Sequence, residues 1–297
     1  MRLLTAMKLS VKIQSWLILI ALGLTWGSSF ILMKKALVYF PSYQVAGMRI
    51  VIASLGMLPF LYRGLQQIPR KQYPLTFIVA LLGSGATPFL ITTAQTQISS
   101  ALTGLLNSLT PLFTFLFGVL FFHTYFQTRR FLGVLLGLAG ALTLILFSTP
   151  LGKSGNNNYA MFVVVATICY AMNANTVKKY CQNMSPTSLN AVGFLWIGPM
   201  AVLFLSTTDV VHRIQTVPHA LWGVAYISIL GIFGTAIANI LYFRLTQITD
   251  ALFASMVTYL IPIIAIFWGV LDGEPVDVTY VLGMLLILGG VYLVSKK

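Results

Sequence analysis

Charged residues are scarce in this sequence, and acidic residues are the scarcest of all. Of the 297 residues, 8% are charged, five are Asp or Glu, and 58% are hydrophobic. An ordinary soluble domain carries about 25% charged residues, and it cannot cover this much apolar surface with its own core. The composition therefore excludes a soluble domain and predicts a protein that crosses a membrane several times.

Cysteine and histidine are also rare, which removes most routes to a metal site or to catalysis. The two cysteines, Cys169 and Cys181, lack the spacing of a metal site and are too few for a disulfide framework. The three histidines and five acids all fall at the ends of apolar runs or in loops, and no HExxH, GxSxG or phosphate-binding motif occurs. We therefore expect no catalytic residues, no metal, no cofactor and no enzyme activity.

Basic residues are the exception to the shortage of charge, and they give a formal net charge of +13. They sit in short breaks between apolar runs and follow no nucleic-acid-binding motif, so we expect no nucleic acid partner. If the N-terminus is cytoplasmic, thirteen of the eighteen Lys and Arg residues fall on the inner side. Only Lys34, Lys35, Lys153 and Arg213 fall outside, and Arg49 alone lies inside a run and away from its ends. The bias predicts an inner-membrane protein with both termini in the cytoplasm.

The apolar runs are long enough to cross a bilayer as helices, because a spanning helix needs about 20 apolar residues. They are too long for barrel strands, and they lack the alternation that such strands show. The runs are residues 16–38, 43–62, 73–93, 101–122, 131–148, 158–179, 187–206, 220–243, 251–271 and 278–295. The sequence thus predicts an all-α polytopic membrane protein with ten transmembrane helices.

The two halves of the chain resemble each other. The stretch ALTGLLNSLTPLFTFLFGVLFFHTYF, from Ala101, aligns with ALFASMVTYLIPIIAIFWGVLDGEPV, from Ala251. We therefore predict a first five-helix repeat over 16–148, a linker over 149–157 and a second repeat over 158–295. Because five spans are an odd number, the second repeat enters the membrane from the opposite side. This inverted-topology repeat is the plan of many transporters.

Several of these segments together resemble the EamA branch of the drug/metabolite transporter superfamily. They are WGSSF in span 1, Arg49 after PSYQVAGM in span 2, the proline-containing stretches of spans 4 and 9, and GEPVDVTYVLGMLLILGG from Gly273. The resemblance covers nearly the whole chain, and it implies ten helices and export or transport of small metabolites. It also implies a central cavity lined by spans 1, 3, 4, 6, 8 and 9. The sequence departs from the family at His123, where the family has the Glu that Glu274 represents in the second repeat.

One set of candidate substrate-binding residues lies at the front of each repeat. Trp26 and Ser29 share a helix face because they are three residues apart, and their counterparts Tyr170 and Asn173 have the same spacing. Such a face forms either a line of close helix packing or the wall of a cavity. An amide that faced lipid would have no hydrogen-bond partner, so Asn173 favours the cavity.

Three further candidates lie deeper in the repeats, one in the first and two in the second. Asn107 precedes Pro111 in span 4, Tyr259 precedes Pro262 in span 9, and Asn239 lies inside span 8. A proline inside a span frees a backbone carbonyl that a polar ligand can use, but it can equally serve only as a kink for packing. We predict that these residues join the others in one polar, uncharged cavity with walls formed by Trp26 and the tyrosines.

Arg49 and a glycine series each have two interpretations. Arg49 either bonds backbone carbonyls at a broken helix or snorkels to the interface, or it meets a substrate carboxylate. Gly133, Gly137 and Gly140 form a small-residue face in span 5, which indicates helix packing or a dimer contact. The protein is accordingly expected to be a monomer or a homodimer.

Together these features favour a transporter that exports or facilitates the movement of small polar or amphiphilic metabolites, such as amino-acid-like solutes. Its partners would be the small-molecule substrate and the lipid bilayer, and it would work by alternating access around the central cavity. A lipid scramblase or a structural membrane subunit remains an alternative. A membrane-embedded enzyme is less favoured, because no nucleophile–base pair or paired carboxylates occur at membrane depth.

Overall fold

The computed structural model describes residues 10–98, 100–148, 157–271 and 278–295. Within these ranges the chain forms helices, turns and bends and no strand. Six helices in the described part of the chain are long and apolar enough to cross a membrane. The prediction of an all-α polytopic membrane protein is confirmed, while the exact number of ten spans stays a prediction. The linker over 149–157 lies outside these ranges except for its last residue.

Helical segments occur at all ten predicted places. They are α1 (Val11–Ala36), α2 (Ser42–Gln67), α3 (Arg70–Ala94), α4 (Ser100–Asn107 and Thr110–Phe122), α5 (Thr128–Ser148), α6 (Ala160–Tyr180), α7 (Pro186–Ser206), α8 (Ala220–Ile248), α9 (Ala251–Ser255 and Val257–Leu271) and α10 (Val278–Ser295). A short helix, Val210–Thr216, connects α7 to α8.

Local sequence explains where several helices begin and break. Ser10 caps α1, because its Oγ accepts a hydrogen bond of 3.3 Å from the backbone N–H of Ile13. Asp250 caps α9 in the same way, because its Oδ1 accepts a hydrogen bond of 2.9 Å from the backbone N–H of Phe253. The break in α4 falls just before Pro111, which lies in the first turn of the second segment and has no N–H to continue the helix.

Glycines let two pairs of helices approach closely. A Cβ at Gly133 of α5 would lie 2.9 Å from the carbonyl oxygen of Gly290 in α10, and one at Gly140 would lie 2.7 Å from that of Gly283. The glycine face of α5 is therefore used for packing inside the chain. Gly27 of α1 meets α9 in the same manner, where a Cβ would lie 2.7 Å from Ile264 Cβ.

The third helix of each repeat contains a π turn near its middle. In α3 it covers Leu81–Gly85, and in α8 it covers Ile232–Ile237. A π turn inserts one extra residue into a helix and shifts its carbonyls away from their usual partners, and such turns are frequent at functional sites. The repeats interlock here, because α1 packs against α8 and α6 packs against α3.

Polar contacts tie α5, α6 and α8 together at one end of the bundle. Arg130 at the start of α5 forms an ion pair of 3.2 Å with Asp250. Lys178 near the end of α6 donates to the backbone carbonyls of Gln247 and Thr249. Gln247 in turn donates to the carbonyl of Cys181 at 2.8 Å. This is the end that the positive-inside bias assigns to the cytoplasm.

Candidate functional site

A central cavity lies between the two repeats and is lined by α1, α2, α3, α4, α6, α8 and α9. It has about 100 Å³ available to the centres of water-sized molecules. Both π turns reach it, through Gly83 and Ser84 of α3 and through Gly234 and Thr235 of α8. The cavity therefore sits where the pseudo-equivalent helices of the two repeats meet.

The structure brings six of the seven predicted substrate-binding residues to this cavity. They are Trp26, Ser29, Asn107, Tyr170, Asn173 and Asn239. Arg49, which the sequence left between two interpretations, lines the cavity as well. The prediction of an uncharged cavity is therefore wrong, because Arg49 brings a positive charge to the lining.

Tyr259 lies outside the group that lines the cavity. Its side chain is fully buried, and its hydroxyl donates 2.8 Å to the carbonyl of Val134 in α5. The ring lies beside Gly137, where a Cβ would come within 2.4 Å of Tyr259 Cε2. Because Gly137 has no side chain, the space beside α5 accepts the ring, and Tyr259 faces α5 instead of the cavity.

Two side chains bind the π turn of α8 from the first repeat. Trp26 Nε1 donates 3.0 Å to the carbonyl oxygen of Gly234, and Arg49 Nη2 donates 3.1 Å to the same oxygen. Arg49 Nε donates 2.6 Å to Thr235 Oγ1. The Thr235 hydroxyl in turn donates a hydrogen bond of 3.0 Å to the carbonyl of Leu230. Arg49 thus bonds a backbone carbonyl at an irregular helix, which is the first of the two roles that its position suggested.

The π turn of α3 has a matching partner in the second repeat. Asn173 Nδ2 donates a hydrogen bond of 2.6 Å to the carbonyl of Val79, two residues before the π turn. A Cβ at Gly83 would lie 2.9 Å from that Nδ2, and a Cβ at Gly234 would lie 3.1 Å from Ser29 Oγ. Ser29 and Asn173, equivalent in sequence, therefore face equivalent glycines in the two π turns.

A chain of amides joins the two π turns across the cavity. Asn239 Nδ2 of α8 donates 2.7 Å to Ser84 Oγ in α3 and lies 3.3 Å from Asn190 Oδ1. Asn190 Nδ2 of α7 donates 2.9 Å to the carbonyl of Ala236. The sequence analysis missed Asn190 and Ser84. Asn190 did carry a signal, since it is an amide inside an apolar run, as Asn173 and Asn239 are.

Aromatic rings and one amide complete the cavity wall. The rings of Trp26 and Tyr242 lie 5.5 Å apart, centroid to centroid, and Phe30 and Phe243 line the same space. Asn107 is 6% exposed, and its buried Oδ1 accepts no hydrogen bond from the part of the chain that the structure describes. A buried polar atom without a partner costs free energy, so a polar ligand or water at Asn107 would be stabilised.

The chemistry of the cavity suits binding more than bond breaking. No acidic residue or histidine is among the described residues that line it. Within the same described ranges, no group of three His, Cys, Asp or Glu residues is close enough to hold a metal ion. What the cavity offers is hydrogen-bonding amides and hydroxyls, aromatic faces and one guanidinium.

Comparisons with known proteins agree with this arrangement. The chain is similar to the uncharacterized inner membrane transporter YedA of Escherichia coli (strain K12), with 25% identity over 93% of this chain and 89% of YedA. An uncharacterized transporter of Archaeoglobus fulgidus is 23% identical over 96% of this chain and 99% of its own length. A solved crystal structure superposes with a TM-score of 0.70 and 17% identity, covering 94% of this chain and 95% of that one, which shows a shared fold.

The match to a protein family is more specific. The sequence model of the EamA-like transporter family matches twice, over residues 14–146 and 157–296. Each match spans one of the two halves whose helices interlock around the cavity. The protein is therefore a member of the EamA-like transporter family, with one family unit in each half of the chain.

Proposed function

We propose that this protein moves a small polar or amphiphilic metabolite, such as an amino-acid-like solute, across the inner membrane by alternating access. The observation that carries the proposal is the central cavity, to which both repeats contribute polar side chains. In transporters built from inverted repeats, the substrate binds near the bilayer midplane at such an interface.

The size of the cavity supports a small substrate. About 100 Å³ is available to the centres of water-sized molecules, which is space for one small solute. The aromatic walls add favourable contact for an apolar side chain or for a substrate cation.

The contacts between the repeats support a rocking motion. The hydrogen bonds of Trp26 and Arg49 to α8, and of Asn173 to α3, all cross from one repeat to the other. Relative rotation of the repeats would exchange these bonds while leaving the helices intact. A substrate that binds between the repeats would thereby shift the equilibrium between the two orientations.

The charge bias supports an orientation with both termini in the cytoplasm, and the family resemblance favours net export. The orientation is tested by fusing a reporter that is active only in the cytoplasm to Lys297. An active fusion is expected. A stable but inactive fusion would contradict the orientation.

The cavity supports facilitated movement driven by the gradient of the substrate itself. Proton-driven carriers usually keep a carboxylate or histidine at membrane depth, where its protonation switches the conformation. The described lining of the cavity contains neither. In liposomes held at a fixed membrane potential, a pH gradient is therefore expected to drive no uphill accumulation of a net-neutral substrate.

Transport is distinguished from lipid scrambling by reconstitution into sealed liposomes. The groove between α2 and α7 is lined by apolar side chains apart from Ser54, so it offers no polar path for a lipid headgroup. We expect the protein to exchange at least one radiolabelled member of a panel of amino acids and nucleosides across the bilayer. We expect no exchange of a fluorescent lipid between leaflets. The opposite pattern would contradict the proposal.

A further inference from the structure

Arg49 brings a fixed positive charge into the central cavity. It lies on α2, inside a membrane-spanning segment, and it is the one charged residue among the described residues that line the cavity. A guanidinium keeps its proton in proteins, so this charge is present at every physiological pH. A charge removed from water requires compensation from its surroundings.

The protein supplies part of that compensation and leaves the rest open. Arg49 uses Nε for the hydroxyl of Thr235 and Nη2 for the carbonyl of Gly234. These two bonds fix the plane of the guanidinium against the π turn of α8. Nη1 makes no hydrogen bond to the described residues, and the remaining N–H groups lie on Nη1 and Nη2, at the far end of the side chain.

No carboxylate balances this charge in the described part of the chain. Of the five acids in the sequence, Asp209 pairs with Arg213 and Asp250 pairs with Arg130, and both pairs lie at helix ends. The other three fall within 272–277, outside the described residues. The bonds that Arg49 does make are to neutral oxygens, which orient a guanidinium without neutralising it.

We propose that Arg49 binds an anionic group of the substrate, and specifically a single carboxylate. The inference rests on the proposed transport function and narrows its substrate class. Two N–H groups at the end of a guanidinium match the two oxygens of a carboxylate. One guanidinium balances one negative charge, whereas a phosphate dianion would bring a second charge into an otherwise neutral, aromatic-walled space.

Asn107 adds a second point of recognition. Its amide lines the cavity, and its Oδ1 has no hydrogen-bond partner among the described residues. It offers an acceptor to an N–H group of the substrate, while the rings of Trp26 and Tyr242 offer faces to a cation or an apolar side chain. A zwitterion with one carboxylate uses all of these features, and an amine without a carboxylate leaves the Arg49 charge unbalanced.

The test compares ligands that differ in one charged group. The probes are L-leucine, 3-methylbutylamine (leucine without its carboxylate) and 4-methylpentanoate (leucine without its amino group), with the matching series built on L-phenylalanine. Binding to the purified full-length protein is measured from the rise in Tm with ligand concentration. We expect the acids to bind, with the zwitterions tightest, and the amines to bind at least tenfold more weakly.

Three variants separate binding by Arg49 from its structural role. Arg49→Gln should weaken carboxylate binding by about ten- to hundredfold. It should not weaken amine binding, because it removes a positive charge that repels the ammonium group. Thr235→Val removes the hydroxyl that orients Nε but keeps the charge, so it should weaken carboxylate binding less than Arg49→Gln does. Arg213→Gln removes a surface charge away from the cavity and should preserve the preference for carboxylate over amine.

Several results would overturn the inference. They are amines binding as tightly as acids, carboxylate binding that is unchanged in Arg49→Gln, and absence of binding by every acid in both series. If Arg213→Gln also loses the preference for carboxylate over amine, that preference comes from the overall charge of the protein and not from Arg49. If any of these results is found, exchange of amines or uncharged solutes in liposomes would still support the transport function. Absence of all exchange would contradict the transport function itself.

Discussion

The indole Nε1 of Trp26 in α1 donates a hydrogen bond of 3.0 Å to the carbonyl oxygen of Gly234 in the π turn of α8. In the other repeat, Asn173 of α6 makes the corresponding contact with α3, where it donates to Val79 at 2.6 Å. Each repeat therefore uses a polar residue of its first helix to hold the irregular third helix of the other. The same contacts lie at the cavity and join the two repeats, which the proposed alternating access would move relative to each other.

Replacing the indole of Trp26 with a smaller ring is expected to remove this hydrogen bond and part of the cavity wall. Trp26→Phe keeps an aromatic ring near Tyr242 but leaves the carbonyl of Gly234 with Arg49 as its side-chain donor. The hydrogen bond accounts for about 0.5–1.5 kcal/mol of the expected loss of stability, and slower substrate exchange is expected with it. Thermal unfolding and liposome exchange measure the two effects.

Trp16→Phe is the matched control for this change. Trp16 packs edge-on against Phe253, with centroids 5.7 Å apart, and is not among the cavity-lining residues. Trp16→Phe should leave the rate of substrate exchange per folded molecule unchanged. Equal effects of both substitutions on exchange would refute a specific role for the Trp26 hydrogen bond.

A methyl group at Gly83 is expected to displace Asn173. The added Cβ of Gly83→Ala would lie 2.9 Å from Asn173 Nδ2, closer than real contacts allow, so the flexible amide must move. That movement weakens its bond to Val79 and shifts an amide inside the cavity. We expect reduced exchange with the protein still folded in the membrane.

Gly104→Ala is the control, because a Cβ at Gly104 of α4 meets nothing within 4 Å. Alanine is favoured over glycine in a helix by about 1 kcal/mol, so this variant should be as stable as the wild type or more so. Normal exchange in Gly83→Ala would show that the position of Asn173 matters little to transport.

The sequence was a good guide to the helices and to the amides of the cavity, for a physical reason. Long apolar runs have few alternatives to membrane helices, and a buried amide such as Asn173 or Asn239 needs a polar partner. The π turns were not predictable, because Gly83-Ser84 and Gly234-Thr235 are equally compatible with an ordinary helix. Only packing between repeats decides that these helices widen there.

Tyr259 and Arg49 show where sequence spacing stops being informative. Residues at helical spacing share a face, but the spacing does not say which neighbour that face meets. Gly137 of α5 is distant in the sequence, yet it leaves the space in which the ring of Tyr259 packs, outside the cavity. Arg49 was placed correctly within a span, yet its partner in the π turn of α8 depends on a turn that the sequence does not reveal.

Tyr259 is accordingly expected to contribute to stability and not to substrate binding. Tyr259→Phe removes the hydroxyl that donates to Val134 and keeps the buried ring, so the expected loss is about 0.5–1.5 kcal/mol. Ligand affinity, measured for any probe that binds the wild type, should stay the same. A clear loss of affinity at unchanged Tm would return Tyr259 to the binding site.

The ion pair between Arg130 and Asp250 is expected to hold the predicted cytoplasmic end closed, and Cys181 at the same end can report its opening. Burial raises the pKa of Cys181 to about 12, so little of the reactive thiolate exists at neutral pH. Asp250→Asn loses the charge but keeps an oxygen that can cap α9. We expect faster alkylation of Cys181 by N-ethylmaleimide, by about tenfold for each unit by which opening lowers its pKa.

The alkylation experiment uses a Cys169→Ala background, so that Cys181 is the reacting thiol. Asp209→Asn, which breaks the ion pair with Arg213 near the other end of the bundle, is the control and should leave the rate unchanged. Arg130→Gln removes the other partner of the ion pair and leaves the Asp250 cap of α9 in place, so it should speed alkylation to a similar extent. Equal alkylation rates in Asp250→Asn and the wild type would mean that the ion pair does not hold this end of the bundle closed.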